Sequence, residues 1–131
     1  MLFRSTVVVT GAPGGVGSAA IQLCRLRNAK VIAIASESKK EALIELGAST
    51  VIDRNTVDLC DAITEAAKGP VDAALDVVGG RMLSHLLQAL RQGDHYSSCG
   101  AISGPCTEID LRLLIYKDLR LSGATIVPPP R

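Results

Sequence analysis

The chain has 131 residues, 47% of them hydrophobic but only 2% aromatic, and fourteen basic against thirteen acidic side chains leave a formal charge of +1. That length allows one domain with one core, and the scarcity of rings requires an aliphatic core, as in parallel sheets covered by helices. A near-neutral charge without a basic block excludes the electrostatic footprint of a nucleic-acid binder, and no apolar run approaches the roughly 20 residues of a membrane span.

In chain order, residues 6–10 (TVVVT) form a short apolar run ending in a glycine loop, which predicts a buried strand. Residues 15–27 place Val16, Ala19, Ala20, Leu23, Cys24 and Leu26 at helical spacing, with Arg25 and Arg27 outward. A second strand is expected at 30–35 (KVIAIA), then a short helix at 39–46 stopped by Gly47. A brief third strand at 51–52 precedes a helix at 58–68 with Cys60, Ile63 and Ala67 inward, ended by Gly69-Pro70. The fourth strand is read at 71–78 (VDAALDVV), followed by a helix at 82–90 with Leu83, Leu86, Leu87 and Leu90 on one side. A fifth strand at 95–101, a helical turn or two at 110–116 and a sixth strand at 119–127 complete the chain.

Strands alternating with helices imply right-handed βαβ units and a parallel sheet. Six strands with a glycine loop after the first predict an α/β fold, the doubly wound Rossmann sheet in order 3-2-1-4-5-6, with ligands at the carboxyl ends of its strands. The expected domain covers 6–127. Residues 1–5 (MLFRS) read as a non-native leader, since a common sequencing-adapter string encodes Leu-Phe-Arg-Ser. Without a signal-peptide core at the start, a cytoplasmic protein is expected, with neither nucleic acid nor membrane as partner.

The loop Thr10-Gly11-Ala12-Pro13-Gly14-Gly15-Val16-Gly17 fits two registers. One is Ala-x-Gly-x-x-Gly, the dinucleotide fingerprint with its first glycine replaced. The other is the Thr-Gly-x-x-x-Gly-x-Gly loop of short-chain dehydrogenases. In the first, Gly14 allows close approach of a pyrophosphate, Gly17 lets the helix pack on the strand, and the phosphate meets the helix N-terminus. At the end of the second strand an acidic residue would hold the ribose hydroxyls of NAD. Here the sequence runs Ala35-Ser36-Glu37-Ser38-Lys39-Lys40. Small residues leave room for a 2′-phosphate, hydroxyls donate to it and the lysines supply charge, each charged hydrogen bond contributing about 1.5–3 kcal/mol. NADP(H) is therefore expected over NAD(H), with Glu37 as the residue that would reverse the preference by pointing at the ribose.

The cysteines, Cys24, Cys60, Cys99 and Cys106, are far apart, and His85 and His95 stand at no metal-ligand spacing from them. No zinc site is expected in this chain, and Cys24 and Cys60 are expected to pack in apolar surroundings. Asp72 and Asp76 lie within a strand and are read as structural carboxylates bonded to nearby backbone.

Taken together, VVVTGAPGGVGSAAIQL (7–23), AKVIAIAS (29–36), ELGASTVID (45–53), VDAALDVVGG (71–80), CGAISGP (99–105) and KDLRLSGAT (117–125) resemble the coenzyme-binding domain of the medium-chain dehydrogenase/reductase superfamily. The likeness is to its quinone-oxidoreductase-like and zinc-type alcohol-dehydrogenase-like branches. Neither Tyr96 nor Tyr116 has a lysine four residues on, as the short-chain family requires, so the first register stands.

The resemblance implies that Ala12, Pro13, Gly14, Gly15, Val16 and Gly17 hold the pyrophosphate, with Ser36 and Lys39 or Lys40 at the adenosine phosphate. Arg54 would lie beside the adenine, where relatives often carry an aromatic residue. Val77, Val78 and Gly79, with Gly100, Ala101 and Ile102, would line the nicotinamide, partly through backbone groups. It further implies an NADP(H)-dependent reductase of quinones, enones or carbonyl compounds as the parent enzyme. The substrate would be held by an N-terminal catalytic domain not among these residues, and a homodimer would form through the sixth strand. No residue here is assigned as acid, base or nucleophile. A stand-alone or truncated nucleotide-binding module without activity is the alternative.

Overall fold

The computed structural model describes residues 5–124. Its elements run β1 (Thr6–Thr10), α1 (Gly15–Leu26), β2 (Lys30–Ala35), a 3-10 turn (Glu37–Lys39), α2 (Lys40–Leu46), β3 (Thr50–Asp53), α3 (Leu59–Ala67), β4 (Val71–Asp76), α4 (Met82–Ala89), β5 (Leu90–Ser98), α5 (Leu111–Lys117) and β6 (Arg120–Gly123). All six strands are parallel, in the order β3-β2-β1-β4-β5-β6. This is the Rossmann arrangement expected from the alternation of elements.

Period-two alternation divides the aliphatic side chains between the two faces of the sheet. Val8, Ile32, Ile34 and Ile52 pack under α3 and α4 with Leu59, Ile63, Leu83, Leu86 and Leu87. Val9, Val31, Ala33 and Val51 pack on the other face with Ile21 of α1 and Leu43 of α2. Full burial of each large aliphatic side chain contributes about 1.5–3 kcal/mol, so the sheet is held from both sides. Gly47, at φ +130°, stops α2 as expected, its N–H and that of Ala48 both donating to the Leu43 carbonyl.

Four readings of the sequence need correction. The buried line of α1 is Gly17 and Ile21, flanked by half-buried Ala20 and Cys24, whereas Val16, Leu23 and Leu26 are exposed at 52%, 56% and 79%. Strand β4 ends at Asp76 and not at Val78, because Thr10 Oγ1 takes the Val77 N–H and the Asp76 side chain those of Val78 and Gly79 out of the ladder. Strand β5 starts at Leu90 and stops at Ser98: Val71 pairs Leu90 and Ala73 pairs His95, so a bulge at Arg91–Asp94 hides the strand behind polar residues. Gly100 to Ile102 consequently lie in the loop beyond it. Cys60 and Ala67 are only half-buried on α3, while Leu59 and Ile63 form its buried side. The part of the sixth strand expected at 125–127 lies outside the described residues, as do residues 1–4 of the expected leader.

Candidate functional site

The glycine loop is built by three separate requirements. Gly11 turns the chain out of β1 at φ +58°, and its carbonyl accepts the Gly14 N–H at 3.0 Å. Ala12 keeps a negative φ and is fully buried, so the substituted first glycine position carries no strain. A Cβ on Gly17 would stand 2.6 Å from the Gly11 carbonyl oxygen and 2.7 Å from the Ala12 Cα, so only glycine lets α1 pack against the loop. Gly14 is the N-cap of α1, contributes no side chain to it, and no acidic residue follows in the first turn. The opening N–H groups of the helix, at Gly15, Val16 and Gly17, therefore present an uncompensated positive end.

Beside the loop is a cleft of about 460 Å³ lined by Thr10, Gly11 and Pro13 from the loop, Ile34, Ala35, Ser36 and Lys39 at the end of β2, Arg54 and Asn55 after β3, and Val78, Met82, Ile102 and Ser103; Ala12 and Gly14 to Gly17 are not among its lining residues. It lies at the carboxyl ends of the central strands, where the strand order reverses. No carboxylate lines it, while Lys39 and Arg54 do. Of the residues considered at the ribose, Ser36 lines the cleft and Glu37 does not; neither does Lys40, at the start of α2. The Arg54 N–H donates to the Ala35 carbonyl at 2.9 Å, which tethers the turn after β3 to the end of β2.

Asp76, with no exposed surface, joins β1, β4 and β5 beneath this cleft. Its Oδ1 accepts from Thr10 Oγ1 at 2.5 Å and from the N–H groups of Val78 and Gly79 at 2.9 and 3.1 Å, and its Oδ2 accepts from the Tyr96 hydroxyl at 2.6 Å. Thr10 Oγ1 in turn accepts the Val77 N–H at 3.1 Å. Burial, and then the neighbouring Asp76 carboxylate, push the Tyr96 hydroxyl well above the ordinary tyrosine range. The same two causes raise the Cys99 thiol. Asp72 accepts from the Thr6 N–H and from Arg91. Both aspartates thus have the structural bonding expected of them.

The ends of β4 and β5 come together as the sequence suggested. The Ile102 and Ser103 N–H groups donate to the Val77 and Val78 carbonyls, and a Cβ on Gly100 would lie 2.9 Å from the Val77 carbonyl oxygen. Gly79, Gly100 and Ala101 border a separate depression of about 340 Å³ that reaches Tyr96 and β6. The N–H groups of Val77, Val78 and Gly79 are all spent on Thr10 and Asp76, so these three residues offer a ligand no free backbone donor. A third chamber, about 560 Å³, adjoins the cleft across Arg54 and Met82 and is lined further by Arg81, His85, Cys106 and Thr107.

Thr10, Asn55, Met82 and Ser103 escaped the sequence reading as lining residues. The signal for Thr10 was present: Thr10 closes one apolar strand and Asp76 its neighbour, one step beyond the pair Val9 and Leu75. Among the described residues no three His, Cys, Asp or Glu side chains gather as metal ligands, and no helix is long and apolar enough to cross a membrane.

A family model described as zinc-binding dehydrogenase matches residues 15–130. The synaptic vesicle membrane protein VAT-1 homolog of Rattus norvegicus is 38% identical over 104 residues, which is 76% of this chain and 26% of that protein. The probable quinone oxidoreductase of Schizosaccharomyces pombe is 40% identical over 117 residues, 88% of this chain and 35% of its own length. Among solved structures, E. coli K-12 YHDH with bound NADPH superposes with a TM-score of 0.79 at 33% identity, covering 96% of this chain and 39% of that one. The chain therefore spans about a quarter to two-fifths of these proteins. Sequence, sheet order and loop agree: this chain belongs to the zinc-binding dehydrogenase family of the medium-chain dehydrogenase/reductase superfamily and corresponds to its coenzyme-binding part.

Proposed function

We propose that this chain seats NADP(H) in the 460 Å³ cleft as the coenzyme-binding domain of an oxidoreductase that reduces a quinone, enone or other carbonyl compound. The observation that carries the reading is the composition of that cleft: Thr10, Gly11 and Pro13 of the glycine loop on one side, Ser36, Lys39 and Arg54 on the other, and no carboxylate; the loop leads directly into the uncapped N-terminus of α1. The coenzyme, when bound, supplies the hydride, and the protein's share is to bind and orient it.

Gly15, Val16 and Gly17 would hold the pyrophosphate by N–H groups, with Gly14 allowing its close approach and Ala12 and Pro13 shaping the turn. Ser36 and Lys39 would take the adenosine phosphate, Lys40 adding charge from outside the cleft. Arg54 would lie over the adenine. Val78 and Ile102, which line the cleft, would border the nicotinamide, together with Val77 and with Gly79, Gly100 and Ala101 on the neighbouring depression. The 33% identity with a protein solved with NADPH supports the coenzyme assignment. The substrate would be held by residues of the parent protein beyond this domain. Strand β6, exposed along its length and paired only with β5 among the described residues, would add to its twin across a dimer and so cover an open edge. A soluble cytoplasmic setting is part of the same reading.

Calorimetric titration of the 131-residue chain with NADPH and with NADH tests it. NADPH binding at least about tenfold tighter is expected, the equivalent of roughly 1.4 kcal/mol from one phosphate contact. Equal affinities overturn the preference, and saturation by neither overturns the assignment of this chain as a binding domain in its own right.

A further inference from the structure

We propose that Asp76 is the positioning residue of the dinucleotide cleft: with Thr10 it locks the backbone of Val77, Val78 and Gly79 against the glycine loop, and the seat of the coenzyme depends on that lock. The inference rests on the coenzyme reading above, but a different observation carries it.

Asp76 is fully buried, yet its four partners are two hydroxyls and two backbone amides, with no lysine or arginine among them. Burying a carboxylate is costly, and here the cost is offset by four donors that no apolar side chain could satisfy. What the carboxylate adds is geometry. Three of its four donors converge on Oδ1, one of them from β1 and two from the loop after β4. The carbonyl side of the loop is fixed as well, Asp76, Val77 and Val78 accepting from Cys99, Ile102 and Ser103. The Val77 side chain packs into the space that the missing Cβ of Gly11 leaves. The glycine loop and the opposite wall of the cleft are thus one rigid unit, and its common point is Oδ1 of Asp76.

The Oδ1 geometry separates positioning from charge. In Asp76→Asn, Oδ1 still accepts its three donors, and the new amide meets a Tyr96 oxygen able to accept. The fixed loop survives although the charge is gone. In Asp76→Ala it does not survive. Thr10→Val removes only the bond to the Val77 N–H and the link from β1.

The test uses the whole 131-residue chain, with each variant first shown to melt cooperatively. Amide exchange of Val77, Val78 and Gly79 is measured without coenzyme, relative to the core amides of Val8 and Ile32, and Kd for NADPH is measured by calorimetry. In Asp76→Ala, exchange at Val78 and Gly79 rises about tenfold or more over the core amides and Kd weakens about tenfold. Thr10→Val does the same at Val77, and Asp76→Asn stays within about threefold of the wild type on both readouts. A merely structural role would speed the core amides equally.

A folded Asp76→Ala with wild-type exchange and Kd overturns the proposal, as does Asp76→Asn losing as much as Asp76→Ala. If Asp76→Ala does not fold, Thr10→Val decides, and unchanged exchange at Val77 with unchanged Kd overturns it. Failure of the wild type to bind NADPH overturns the coenzyme reading and this dependence together, while the exchange pattern still reports whether Asp76 fixes the loop.

Discussion

Helices α1 and α4 carry similar apolar content and have different fates. In α4, Leu83, Leu86 and Leu87 are buried against the sheet as their spacing predicts. In α1, only Gly17 and Ile21 are buried, and Val16, Leu23 and Leu26 face solvent. The difference is one of approach distance. Gly17 sits within contact of the Gly11 carbonyl and Ala12, so α1 lies close to the loop and turns its narrowest line inward. Helix α4 has no such glycine contact and presents a line of leucines. Apolar periodicity reports which side chains favour burial. In α1 the loop geometry decides which of them obtain it.

The largest expected effect is at Leu86, which is fully buried. Leu86→Ala is expected to cost about 2–5 kcal/mol in urea unfolding, from lost transfer energy and the cavity left behind. A loss below about 1 kcal/mol would mean that the α4 face is not the firm one.

Tyr96, under the same face, sharpens the comparison through pH. Its folded-state hydroxyl is raised above the ordinary value of 10.0 by burial and by Asp76, so the neutral form is favoured on folding. The associated stability is complete below pH 10.0 and is lost as pH rises above it toward the folded value. Tyr96→Phe is expected to lower neutral-pH stability by about 1–3 kcal/mol, the cost of leaving a buried acceptor short of a donor. It should also flatten the alkaline decline, and an unchanged slope of unfolding free energy between pH 9 and 11 would contradict the assignment.

The smallest effect is on α1. Leu23→Ser, at a residue 56% exposed, should stay within about 0.5 kcal/mol of the wild type. A loss approaching that of Leu86→Ala would show that the exposed stripe is covered in solution.

How much of this was legible beforehand follows from the same physics. The sheet order, the glycine loop and the Gly47 stop were readable because each rests on local chemistry: alternation of periods, a close approach that only glycine permits, and a left-handed residue after a helix. The α1 face was misread because burial there depends on Gly17 meeting Gly11 and Ala12, a tertiary contact. The bulge of β5 was missed because Arg91, Gln92, Gly93 and Asp94 read as a loop while their neighbours pair with β4. At the site, the glycine loop and Ser36 were visible as motif residues. The convergence of Thr10, Asp76 and Tyr96 was not, since it joins residues 66 and 20 positions apart in the chain.

The most direct measurement of the central claim is an amide NMR titration of the chain with NADPH. Shifts concentrated at Gly14 to Gly17, Ser36, Lys39, Val78 and Ile102, with α5 and β6 unmoved, are the predicted result. Shifts confined to Arg81, His85 and Cys106, or none at saturating coenzyme, would contradict the placement of the dinucleotide in the cleft beside the glycine loop.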